Sequence, residues 1–207
     1  MPRIDDYKQA RTLAVDKLSE DSFDGIANRS GFEAVSDTPP CFRIPFLNRT
    51  YRVTYPDFSF TDEADSEIEV PIQEQIIILH YMSGGSGAPL PGEWVAYREI
   101  PGASFYFSAF VKRAIDPLKK VFGRNVSGLQ TAAKQLKGKA IDVGDAGLEF
   151  QIFPRLPLQL ILWEGDDEFE PEANILFGAS IGDLLSPEDV AWLAGMVVYR
   201  LIALSKG

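Results

Sequence analysis

The chain has 207 residues, of which 45% are hydrophobic and 12% aromatic, enough for a sizeable core in a single domain spanning residues 1–207. Its 30 acidic against 20 basic residues give a net charge of -10. That balance argues against nucleic acid as a partner, because a phosphate backbone is bound by clustered Lys and Arg.

The first six residues, Met-Pro-Arg-Ile-Asp-Asp, are acidic and lack the apolar core of a signal peptide. Residues 5–18 read as a helix, with Tyr7, Ala10, Leu13, Ala14 and Leu18 at helical spacing. Residues 21–33 form a shorter, irregular segment that stops at Gly31. Residues 41–46 and 51–55 read as two strands joined by a turn at 47–50, since Tyr51, Val53 and Tyr55 alternate with Arg52 and Thr54. Cys41, the one cysteine, falls in the first of them as a small buried residue. A lone cysteine excludes an internal disulfide and any cysteine-built zinc or iron–sulfur site from this chain alone, and it suits a reducing cytoplasm.

Residues 61–69 are strongly acidic and read as a surface loop. Pro71 suits the first turn of a helix running to Met82. The glycines and prolines of 83–92 make a loop; it follows a helix, whereas phosphate-cradling loops follow a strand. Residues 94–100 read as a short strand. Residues 104–122 read as a helix interrupted at Pro117, with Asp116-Pro117 as a cap for a second short helix, and 126–136 as another that stops at Gly138. The sparse basic set Lys112, Arg113, Lys119, Lys120 and Arg124 is a solvated helix face.

A turn at 142–147 leads to strands at 148–153, 158–163 and 174–177. Ser186-Pro187-Glu188-Asp189 is the clearest helix start: Ser caps, Pro takes the first position and two acids meet the positive end of the dipole. The helix that follows is apolar almost all round to Leu204, so it is expected to be long and buried. Its apolar run is too short for a membrane span and carries Arg200. Strands arriving in hairpin-like groups with helices between and after predict an α+β fold, with an antiparallel or mixed sheet packed by helices.

Three stretches of this chain resemble an uncharacterised prokaryotic family, the domain of unknown function numbered 3786. They are Leu79-His80-Tyr81-Met82 followed by Pro89-Leu90-Pro91-Gly92-Glu93-Trp94-Val95-Ala96-Tyr97-Arg98-Glu99; Phe105-Tyr106 with Phe110; and Leu162-Trp163-Glu164-Gly165-Asp166-Asp167-Glu168-Phe169 with Ile175-Leu176-Phe177. The resemblance implies a prokaryotic, largely anaerobic setting. Some such proteins are fused to a cysteine-rich iron–sulfur segment or associated with corrinoid-dependent metabolism. With one cysteine, this chain departs from the fused type.

The candidate site lies where strand 158–163 runs into its acids. Glu164, Asp166, Asp167 and Glu168 could supply oxygen ligands to Ca²⁺ or Mg²⁺, although the spacing is not that of an EF-hand. A solvated acidic turn is the plainer reading. His80, the only histidine, is a structural imidazole or a ligand. His80, Tyr81, Trp94, Arg98, Glu99 and Trp163 would line a concave pocket if the histidine helix, the 94–99 segment and the strand end converge. No Gly-x-Ser-x-Gly elbow is present, and no catalytic residue or cofactor is assigned. The leading expectation is a cytoplasmic, non-catalytic small-ligand-binding or accessory protein. The alternatives are a divalent-metal enzyme using the acidic cluster, and a protein-interaction module or homodimer.

Overall fold

The computed structural model describes residues 4–85 and 92–206. In chain order the elements are α1 (Ile4–Ser19), α2 (Phe23–Ser30), β1 (Glu33–Val35), β2 (Cys41–Phe46), β3 (Arg49–Thr54), β4 (Phe60–Asp62), α3 (Ile72–Ser83), β5 (Trp94–Ala96), α4 (Phe107–Phe110), α5 (Asp116–Phe122), α6 (Val126–Gln135), β6 (Lys139–Ile141), β7 (Ala146–Phe153), β8 (Leu156–Trp163), β9 (Glu172–Gly178), α7 (Ile181–Leu184) and α8 (Pro187–Leu204). The fold is α+β with two antiparallel sheets, as the order of elements predicts. The long C-terminal helix is present, capped by Ser186, whose hydroxyl accepts the Asp189 N–H. Contacts divide the chain into two units. The first holds residues 4–85, 153–155 and 183–185; the second holds 92–152, 156–182 and 186–206.

In the first unit, β1 to β4 form a meander in sequence order. Phe42 faces Val53 and Ile44 faces Tyr51 across the β2–β3 ladder, and all four are fully buried. The turn needs only Leu47 and Asn48, with Leu47 at φ 56°, so β3 starts earlier than its alternation suggests. Helix α2 is tidier than expected: Ser22 caps it and Gly31 ends it at φ 75°, the left-handed region that favours glycine. Helix α3 packs against α1 and α2. Phe153, at the tip of the β7–β8 hairpin, stacks on Tyr81 (centroids 4.4 Å apart) and on Phe46 (5.2 Å), and meets Phe32 edge-on.

In the second unit the strand order is β5-β9-β8-β7-β6. One face of the sheet carries Leu158, Leu160, Leu162, Ile175 and Phe177, each with 5% exposure or less. Helix α5 and the segment before it contact β9, and α8 is flanked by that segment and by α6. Pro117 does not break the helical run, but with Asp116 it opens the short helix α5 that the sequence predicts. A π-turn over Val111–Ile115 joins α4 to α5, and the wider turn accommodates the proline near the start of α5. Residues 97–100 also depart from the expected strand: after β5 the chain tightens into a 3₁₀ turn at Tyr97–Glu99.

Leu160 has no exposure and sits mid-strand between paired neighbours. Leu160→Ala should lower unfolding stability by about 2–5 kcal/mol, measured by chemical denaturation. A loss below about 1 kcal/mol would mean that this face is not a packed core.

Candidate functional site

The acidic turn after β8 is ordered by its own backbone. The Asp166 carboxylate accepts the N–H groups of Glu168 and Phe169, each at 2.8 Å, and the Asp166 N–H donates to the Phe169 carbonyl at 2.9 Å. These bonds hold the Asp166 carboxyl below its ordinary value of 3.8. Arg124 donates to the Asp166 carbonyl at 2.7 Å, and the Gly165 N–H donates to the Gly123 carbonyl at 2.8 Å. Asp166 therefore works as a turn-forming residue. Glu164, Asp167 and Glu168 are exposed around it. Among the described residues, no group of three or more His, Cys, Asp or Glu side chains is placed to hold a metal ion.

Trp94 and Trp163, two of the three tryptophans, share a sheet face. Trp94 pairs with Gly178 and Trp163 with Glu172, positions of equal parity on β9. They stand at opposite ends of that strand, however. Residues 172 to 178 are six steps, which at roughly 3.3 Å each is about 20 Å. Between them on the same face lie Ile161, Gln159 and Leu176, and Gln159 donates to Glu149 at 2.9 Å. Arg98 and Glu99 have local roles. The Arg98 guanidinium lies 3.8 Å from the centre of the Phe107 ring, and Glu99 accepts the Ala96 N–H at 2.6 Å.

His80 and Tyr81 belong to the first unit, on α3. His80 is half-buried. Tyr81 is a core residue: its hydroxyl donates to the Ser30 carbonyl at 2.9 Å and accepts the Arg155 N–H at 3.1 Å. Burial pushes its pKa up to about 12. Cys41 is buried as expected. Burial also raises its thiol, despite the Arg52 guanidinium at 3.0 Å. Residues 86–91, including Gly87, Pro89, Leu90 and Pro91, which the sequence predicts as part of a loop, lie outside the described residues.

A different feature is not apparent from the sequence. A groove of about 530 Å³ in the first unit is lined by Asn48, Arg49, Thr50, Asp62, Glu63, Ala64, Asp65 and Ile68. It exists because part of the acidic stretch is not loop. Phe60–Asp62 forms β4, which places Asp62 opposite Tyr51 on the core face. The Asp62 side chain has no exposure; it forms an ion pair with Arg49 and accepts the Ala64 N–H at 2.9 Å. Burial alone would raise the carboxyl, but the Ala64 N–H and the Arg49 guanidinium outweigh it, so Asp62 titrates below 3.8. Arg49 keeps 36% of its side chain exposed at the groove. Beside the pair, the Tyr51 hydroxyl donates to buried Glu74 on α3. The alternation of Phe60 and Asp62 was the available signal, and three residues are too few to read.

A depressed pKa stabilises the fold fully above the unfolded carboxyl value of about 3.9, and that contribution is lost as pH falls through the lower folded value. Asp62→Asn should therefore cost about 1–3 kcal/mol at neutral pH, allowing for screening at the exposed arginine. The gap from wild type should close below about pH 4. Denaturation midpoints across that range measure it, and a pH-independent gap would contradict the assignment.

No curated protein and no solved structure matches the chain. A family model described as a domain of unknown function, DUF3786, matches residues 22–200. That match takes in both sheets, the groove and the acidic turn, and the chain belongs to this family.

Proposed function

We propose that the protein is a non-catalytic small-ligand-binding or accessory protein, acting in the cytoplasm of an anaerobic prokaryote. The groove over Arg49 and Asp62 is the observation that carries this reading. Its volume is in the range of small-molecule sites, and it combines a fixed guanidinium with nearby carboxylates. Asp62 occupies Nη1 of Arg49 and holds the fork in place, so the cost of ordering this long side chain is met before a ligand arrives. A small polar molecule with an acceptor for Arg49 and a donor for the Asp65 side would suit the lining. The single cysteine and the family resemblance support the setting.

If the site is filled in the cell, protein as isolated should melt higher than the same protein after unfolding, desalting and refolding, because a ligand that binds only the folded state stabilises it. Arg49→Lys keeps a charge against Asp62 but removes the planar fork, so it should abolish the difference without unfolding the chain. Equal melting temperatures for isolated and refolded wild type would sink the reading.

A further inference from the structure

Three large apolar side chains are exposed at one end of the second unit's sheet: Val143 at 44%, Trp163 at 40% and Phe169 at 71%. Single exposed apolar residues are ordinary, whereas neighbouring ones mark interaction sites. Hydrogen bonds tie together the segments that carry them. The Asp145 N–H donates to the Leu162 carbonyl at 2.9 Å, and the Asp145 carboxylate accepts the Glu164 N–H at 2.8 Å. That pairing lays the Val143 turn along the end of β8, on either side of Trp163. Phe169 closes the next turn by accepting the Asp166 N–H, and the contacts of Gly165 and Arg124 pin that turn from outside. An aromatic carried on a pinned turn has little freedom left to lose on binding.

The rim of this surface is acidic. Glu164, Asp167, Glu168 and Glu170 are exposed around Trp163 and Phe169. A second copy would bring an identical acidic rim, and like charges brought together oppose that pairing. A segment carrying Lys or Arg beside aliphatic residues is complementary on both counts. Its aliphatic side chains would cover Phe169 and Val143, its cations could lie over the Trp163 indole, and the carboxylates would steer its approach. We propose that this end of the sheet docks a cationic, apolar segment of a partner protein, with Trp163 and Phe169 as its anchors. The surface belongs to the second unit and the Arg49 groove to the first, and neither proposal rests on the other.

The test is calorimetric titration of the full chain with a short synthetic peptide of alternating lysine and leucine. Saturable one-to-one binding is expected. Trp163→Ala and Phe169→Ser should each weaken it about tenfold. Asp167→Asn with Glu168→Gln and Glu170→Gln should weaken it and flatten its salt dependence. Glu67→Gln with Glu69→Gln, in the other acidic stretch, should leave it unchanged. Phe169→Ser alters an exposed side chain, so it keeps the test sound if Trp163→Ala proves unstable. Lack of saturable binding overturns the proposal. So does equal weakening by the Glu67 and Glu69 substitutions, which would mean general attraction to an acidic chain. Sedimentation showing self-association that Trp163→Ala abolishes would overturn it in favour of a second copy.

Discussion

A carboxylate cannot stay ionised inside a protein without donors to replace water, and Asp62 has no exposed side-chain surface. Its compensation organises one end of the first unit's sheet. The β3–β4 register sets Asp62 opposite Tyr51, and Arg49, two residues before Tyr51 on the same face, supplies the counter-charge. Tyr51 in turn reaches Glu74, which links the sheet to α3 through a polar contact inside an otherwise apolar layer. The groove follows from the same constraint. Arg49 must serve the buried acid at one end, and the rest of its side chain lines open space at the other.

The second unit meets a different constraint. One face of its sheet is a dry layer of Leu158, Leu160, Leu162, Ile175 and Phe177, covered by helix. The opposite face mixes Trp94, Ile161, Leu176 and Trp163 with Gln159 and Glu149, and most of these are half-exposed. The sheet's exposed aromatic end and the first unit's ion-paired groove are chemically unlike surfaces. The two proposals give them different partners, a protein segment for one and a small molecule for the other.

The parts of this fold that show in the sequence are those whose period repeats enough times. Helices α1, α3, α6 and α8 and the middle of β2, β7 and β8 carry several turns or alternations each. Strands β1, β4 and β6 have three residues apiece, and their pairing with a longer neighbour decides them. Strand β5 ends before residue 100, where the sequence pattern ends, because the Glu99 side chain folds back on the Ala96 N–H, a contact no alternation can reveal. At the turn after Trp163, the sequence shows that acids follow a strand end but not which of them is bonded. Their order comes from which N–H groups Asp166 accepts, and this is a matter of turn geometry. Asp62 was hidden among Glu63, Asp65, Glu67 and Glu69, acids of the same type that differ from it only in which way the strand turns them.

Whether the Arg49 groove holds a small molecule is decided by native mass spectrometry of the full chain, isolated without oxygen from its own host, with Arg49→Lys prepared in parallel. The proposed function requires a stoichiometric non-covalent adduct of low mass on the wild type that is missing from Arg49→Lys. A bare wild-type mass, or an adduct that survives the substitution, would contradict it.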